Sequence, residues 1–596
     1  MKFSQVTRTL LIVGAAVGLM LVVACSSDED ETPVATAAAA QPTVQSATTA
    51  VAPTAAPTVD SAVRARAVPP LSSDEQPIYG GTFIIGEFRI EMFDMLAPRA
   101  NGSTEMWLAR NVFNGLVRVN LGDRQTIEGD WAESWTLSDD LTEYTFKIRD
   151  NLVDHEGDPV TAEDAWYQFF RNVERPAGIV APAQACQRLF VKPLEDNGFE
   201  VIDPQTLVVR LKSPRAAFLQ CMTVGFGMFG PMKYTKAIDD AGTYRDLNED
   251  EIIGTGPFKV VKAQRDIRVD LERNVDFFRP GLPYLDGFTI LSIPEAPSRV
   301  AAFRTGRIDR FGIFGGAPTK RDVDQLKTEF GDELAVAEVR GMGWAGLVIN
   351  TESEPLGDNA NLRRAIQLTL DRVEINNLSR DGIGFLSPAY FIGLEWIYPE
   401  SHYLSLPGYN PDTKEQDIAE AKKLMEQEGF GSDNILSLKI LSATSGVGLR
   451  RAEAIASELK EIYMDVELLK LDGPSFSERQ RNGDFQMFSA DFGGLYFDPD
   501  AFNIDTYLPF DTGNRNFARW ENDEFLGLFD EQAGLVNNDA RAPLLRRMAD
   551  IIYEDAYWIG LIRPTVLHTF RSNQRGWSPP ITTVSNYTLE SVWLAK

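Results

Sequence analysis

Side chains that commonly carry chemistry are few and scattered in this chain. Its three histidines (His155, His402, His568) and three cysteines (Cys25, Cys186, Cys221) lie far apart, with no CxxC and no HExxH. A zinc-type centre needs several such ligands converging, so no His- or Cys-based metal site is expected. No P-loop, GxSxG or EF-hand loop occurs, and no cofactor is expected. Two strings, Gly225–Gly230 and Gly341–Gly346, have the spacing of a dinucleotide fingerprint. That fingerprint requires a strand before it and a helix after it. Gly230 is followed by Pro231, and Gly346 runs into the strand-like Leu347-Val348-Ile349, so neither predicts a nucleotide site. The 86 acids form many chance pairs, and none stands out for glycosidase chemistry. His155, in Asp154-His155-Glu156-Gly157, and Asp498-Pro499-Asp500 both read as turns.

Charge narrows the partners. Fifty-eight basic residues against 86 acidic ones leave a formal net charge of -28. Phosphate backbones are held by clustered Lys and Arg, so nucleic acid is not an expected partner. At 596 residues the chain exceeds one compact core, and roughly two to four domains are expected.

The elements that position side chains follow from pattern. Thr82–Ile85 reads as a first strand after Gly80-Gly81, and Tyr144–Ile148 alternates as a half-buried strand does. Thr161 caps an amphipathic helix with Trp166, Phe169, Phe170 and Val173 on one face. Asn361–Leu378 reads as one helix. Between 436 and 491 strands and helices alternate: strands at 436–441, 466–471 and 485–491, helices at 449–463 and 474–481. Such a series predicts parallel strands with ligands beyond their carboxyl ends. Asp491, closing the third strand, is expected to face a crevice.

The N-terminus reads as an address. Lys2 and Arg8 precede an apolar run, Leu10–Val23, that ends in Val22-Val23-Ala24-Cys25. This stretch resembles a bacterial lipobox, which implies a signal peptide over 1–25 and lipidation of Cys25. Residues 26–76 are rich in Ala, Thr and Pro and hold no aromatic residue, as expected of an unstructured tether. The body is expected outside the cytoplasm, anchored to the bacterial cell membrane. There Cys186 and Cys221 can pair as a disulfide or stay as two buried thiols.

Several blocks resemble one family in order and spacing. They are Asn114-Gly115-Leu116-Val117-Arg118, Trp131–Trp135 with Tyr144–Arg149, the pattern H-x-G-x-P-V-T-A-E-D from His155, Gly254–Phe258, and Arg363–Ile366 with Asp371-Arg372. The chain is similar to the family-five extracellular solute-binding proteins, the oligopeptide- and dipeptide-binding group. The resemblance implies an α/β clamshell of the periplasmic-binding-protein kind. Lobe one would span 77–340 and 560–596, with a subdomain inserted at about 120–250, and lobe two 341–559. It implies the binding subunit of an ABC importer, a monomer and not an enzyme, that takes a peptide-like solute and delivers it to a membrane permease. In peptide-binding members a Trp-x-Ala-Asp motif supplies the carboxylate that holds the α-ammonium group. The matching stretch here is Phe488-Ser489-Ala490-Asp491-Phe492, with Phe488 in place of the Trp. Glu87, Phe88 and Trp344 either line the cleft or serve ordinary packing. A surface sensor or scaffold on the same fold, or a tethered hydrolase, are the alternatives.

Overall fold

The computed structural model describes residues 75–94, 103–123, 126–175, 185–224, 227–341, 343–388, 390, 394–493, 498–502, 506–510, 515–579 and 587–596. Cys25, the signal peptide and nearly all of the tether lie outside them.

Two sheets organise the body. The first has seven strands in the order Phe258–Gln264, Arg268–Arg273, Gly287–Ser292, Thr82–Glu87, Arg310–Phe311, Thr565–Arg571 and Leu334–Arg340. Its centre is parallel: Thr82–Glu87 runs alongside both Gly287–Ser292 and Arg310–Phe311. The second has six, in the order Phe385–Leu386, Trp558–Arg563, Gly343–Ile349, Met487–Gly493, Leu436–Ala443 and Met464–Leu471. Here the alternation between 436 and 493 closes as expected, with Leu436–Ala443 parallel to both Met464–Leu471 and Met487–Gly493. A four-stranded antiparallel sheet (Ala132–Leu137, Glu143–Ile148, Thr206–Arg210, Phe199–Asp203) forms the inserted part.

The chain crosses between the two large sheets twice, at 341–342 and at Pro564. The crossings lie side by side: Gly341 N–H donates to Pro564 O (3.1 Å), and Arg563 Nε donates to Gly341 O (2.8 Å). The second crossing therefore falls at Pro564 rather than at 559–560, because all of Trp558–Arg563 pairs within the second sheet.

Two helices depart from the sequence pattern. Ala162–Glu174 starts at Thr161 with a reciprocal cap from Asp164, as the pattern requires. Its second face is buried too, because Arg171 pairs with Asp94 and Asp239 there. The expected helix 361–378 is two, Ala360–Thr369 and Arg372–Arg380. Asp371 breaks it by accepting the Val373 and Glu374 N–H groups, a side-chain competitor for the helical hydrogen bond. The new axis leaves Val373 42% exposed and carries Arg380 to the helix end.

Candidate functional site

The blocks most distinctive in the sequence meet in one buried hub. The Asp130 carboxylate, fully buried, accepts hydrogen bonds from Arg110 Nη1 (2.7 Å), Arg279 Nη2 (3.1 Å), Asn114 Nδ2 (3.2 Å) and the Gly115 N–H (3.1 Å). Burial pushes its pKa up, but the charges of Arg110, Arg279 and Arg118 outweigh that and hold it below the usual range. Thr255 Oγ1 donates to Asn114 Oδ1 (2.7 Å) and accepts from Trp131 Nε1 (2.7 Å). These hydrogen bonds stitch together elements that lie far apart in the chain.

His155 belongs to the same hub. Gly254 N–H donates to its Nδ1 (3.3 Å), and its Nε2 lies 3.1 Å from Gly256 O. One ring nitrogen accepting and the other donating is the neutral tautomer. Burial lowers its pKa to about 4, so it stays neutral in the fold while the unfolded chain titrates near 6.5. Its contribution is full above about pH 6.5 and is lost as pH falls towards 4. The stability gap between wild type and His155→Gln should shrink by up to about 1.4 kcal/mol per pH unit across that window. Urea unfolding of both at pH 7 and pH 5 checks this; a constant gap contradicts it.

Asp491 lies in the strand Met487–Gly493 of the second large sheet. Its side chain is 46% accessible to solvent. Two arginines hold it. Arg380, at the end of its helix, donates through Nη2 (2.6 Å). Arg451, on the helix Gly446–Leu459 and fully buried, donates through Nη1 and Nη2 (both 3.2 Å) and through Nε to Ser489 Oγ (2.6 Å). Burial raises the Asp491 pKa, but Arg451 and then Arg380, by charge and hydrogen bonds, bring it down to about 2. The carboxylate matched to the ammonium anchor is thus already neutralised from within.

Three of the other expected site residues pack behind it. Trp344 stacks on Phe492 at 4.8 Å between ring centroids, and Phe492 meets Phe488 at 6.4 Å. Trp344 and Phe488 are fully buried and Phe492 is 3% exposed, so they form the apolar backing of the strand and not a solvent-facing wall. The Trp344 Nε1–H is buried with no hydrogen-bond partner among the described residues.

Glu87 is also sealed. It is fully buried, and its Oε1 accepts from Trp107 Nε1 (2.8 Å) and from the Ile313 N–H (2.8 Å). A Cβ at Gly312 would stand 2.2 Å from its carboxyl carbon, so only glycine permits that approach. Its role is to tie the end of strand Thr82–Glu87 to the 312–316 turn. Phe88 is half-buried, with the Arg89 guanidinium 4.7 Å over its ring.

Asp498, read as a turn residue, accepts two hydrogen bonds from Arg541 (2.8 and 2.9 Å), and Gln532 Nε2 donates to Asp500 (2.6 Å). Cys221 is disulfide-bonded; the side chain of Cys186 lies outside the described atoms. Gly343 and Gly346 lie in the buried strand Gly343–Ile349, which no helix follows directly, as expected. Among the described residues no group of three potential metal ligands converges, and no helix is long and apolar enough to cross a membrane. The sequence reading missed Arg380 and Arg451, which reach Asp491 across 111 and 40 residues. No local signal marks such a pair.

A cavity of about 410 Å³ is lined by the helix Lys320–Phe330 and by Asp381, which follows Arg380. Two large sheets joined at adjacent crossings form a fold shared with known proteins. Over 460 residues the chain is 26% identical to heme-binding protein A of Haemophilus influenzae, covering 76% of this chain and 81% of that one. It is 25% identical over 470 residues to the periplasmic oligopeptide-binding protein OppA of the same organism, covering 77% and 83%. The solved structure of the periplasmic binding protein DppA from Helicobacter pylori, in complex with the peptide STSA, aligns with a TM-score of 0.72 at 22% identity, covering 87% of this chain and 99% of that one. Residues 126–514, well over half the chain, match the family described as bacterial extracellular solute-binding proteins, family 5. The chain belongs to that family.

Proposed function

We propose that this protein is the substrate-binding subunit of an ABC importer, lipid-anchored through Cys25, capturing a peptide-like solute by closure of its two lobes and passing it to a membrane permease. The observation that carries the reading is the pair of hydrogen-bonded crossings at 341–342 and Pro564, the direct chain links between the two large sheets. Two adjacent strands joined by few bonds make a hinge, about which rigid lobes rotate to enclose a ligand. The relatives named for oligopeptide and heme binding, and the neighbour holding a peptide, support solute capture. No step of this cycle needs a covalent intermediate, in keeping with the solute-binding family.

The test is a thermal-shift screen of the purified protein against short peptides, heme and opines. A ligand at a hundred times its dissociation constant stabilises the native state by about 2.7 kcal/mol, which gives a clear upward shift of Tm. A screen in which no small solute moves the Tm sinks the proposal.

A further inference from the structure

Away from the two crossings, the inserted four-stranded sheet touches the part of the chain that carries the second large sheet. Arg215 lies in the loop that follows strand Thr206–Arg210 of the four-stranded sheet. Across from it is the helix Asp523–Ala533, which packs on Asn538–Asp555, which in turn packs on strand Trp558–Arg563 of the second large sheet. The Arg215 guanidinium stands 5.5 Å over the Phe190 ring and 5.1 Å over the Phe529 ring. Phe190 ends the helix Ala185–Phe190, and its carbonyl accepts from Lys212 N–H (2.8 Å), so one ring comes from each side of the contact. The Ala216 N–H then donates across it to Ala533 O (2.9 Å). Gly534 lies close to Pro214, where a Cβ would stand 3.9 Å from Pro214 O.

Resting on the lobe-closure reading, we propose that Arg215 is the positioning residue for closure: it latches the inserted sheet to the helix Asp523–Ala533 in the closed form, and its release lets the lobes part.

The rings hold this latch more than the charge does. Asp530, 3.4 Å from Arg215, is 74% exposed, so solvent screens that pair and it contributes little. The Arg215 side chain is 14% exposed and both rings are buried, and cation–ring contacts are strongest when desolvated in this way. A planar guanidinium stacks on a ring face as an ammonium does not. Nη1 is buried with no hydrogen-bond partner among the described residues, so ring faces take the place of acceptors there. The base of the loop is fixed, because the next helix, Phe218–Cys221, ends in a disulfide-bonded Cys221. On opening, water replaces Ala533 O as the acceptor for Ala216, so the net preference for the closed form is modest. A solute that binds the closed form is held less tightly when closure is less favourable.

The experiment uses no solute, so its outcome is separate from that of the solute screen. Hydrogen exchange read by mass spectrometry with fragmentation follows the Ala216 amide in the full chain, as wild type, Arg215→Met and Arg215→Lys. Arg215→Met should speed Ala216 exchange about tenfold and raise the radius of gyration in small-angle scattering. The amides of Leu211, bonded to Thr142 O beside the inserted sheet, and of Gly341, bonded to Pro564 O at the crossing, should keep their rates. Arg215→Lys keeps the charge without the planar face and should exchange nearly as fast as the Met variant, and it carries the test if Arg215→Met does not fold. Ala216 exchange at the wild-type rate in Arg215→Met overturns the proposal. Faster exchange with an unchanged radius of gyration overturns it too, because fraying of the loop then accounts for the result. Faster Leu211 exchange does the same, by making Arg215 a prop of its own sheet. An Arg215→Lys protein that matches wild type in both readouts would show that charge and not the rings holds the contact, against the proposal.

Discussion

Asp491→Ala is expected to destabilise the protein by about 2–3 kcal/mol in urea unfolding. The carboxylate is the charge partner of a fully buried Arg451, whose other side-chain partner among the described residues is Ser489 Oγ. Breaking a fully buried pair by removing one member typically costs about 3–5 kcal/mol, because the remaining charge is stranded. Asp491 itself is 46% exposed, so solvent screens part of the effect and the lower figure applies. Adding Arg451→Met to Asp491→Ala should return a good part of the loss, since it removes the stranded cation. An Asp491→Ala protein as stable as wild type would show that the arginines do not depend on it. The sign in pH follows from the lowered pKa. Asp491 contributes above its ordinary value of 3.8, and the contribution is lost as pH falls through about 2.

Asp130→Ala should cost more, about 3–5 kcal/mol, because Asp130 and its partner Arg110 are both buried. Arg110 would keep only the carbonyls of Val117 (3.3 Å) and Thr223 (2.8 Å), and Asn114 Nδ2 and the Gly115 N–H would lose their acceptor. Burial already lowers the Arg110 pKa to about 10 despite the Asp130 charge beside it. Without that charge the guanidinium sits uncompensated in the first-lobe core. The midpoint of urea unfolding followed by circular dichroism measures the loss. A change under 1 kcal/mol would mean that the hub is redundant, against the geometry.

The pH behaviour of His155 is a second consequence of the hub around Asp130. A histidine between a backbone donor at Gly254 and a backbone acceptor at Gly256 is fixed neutral by geometry, whatever its neighbours in sequence.

How much of this was legible beforehand varies by element. The alternation between 436 and 493 was read as parallel strands, because each strand is a short apolar run and each helix keeps a 3.6 period. The lobe boundaries at 340/341 and 559/560 were implied by the family resemblance, and the chain changes sheet after Arg340 and at Pro564. Trp558 to Arg563 and Thr565 to Arg571 form one long apolar stretch, and only Pro564 between them marks the change of sheet. The single helix expected at 361–378 failed at Asp371, where a cap outweighs an otherwise unbroken apolar stripe.

The candidate site was less legible. Asp491 was found from a motif and a strand end, and both are local. That it is already paired was not, since Arg380 and Arg451 come from two other helices. Phe488 and Phe492 were expected at the cleft from the motif match, and Glu87 and Trp344 either there or in ordinary packing. Their burial depends on what lies across the sheet: Trp107 and the 312–316 turn for Glu87, and Trp558 for the aromatic group.

The sequence by itself determined the strands, most helices, the order of the signature blocks and the negative charge of the whole, because each is set by neighbours within a few residues or by composition. Tertiary structure alone decided which charges meet. A carboxylate's chemistry depends on what stands within hydrogen-bonding distance, and at Asp491 those groups are two arginines that folding brings to it from 111 and 40 residues away.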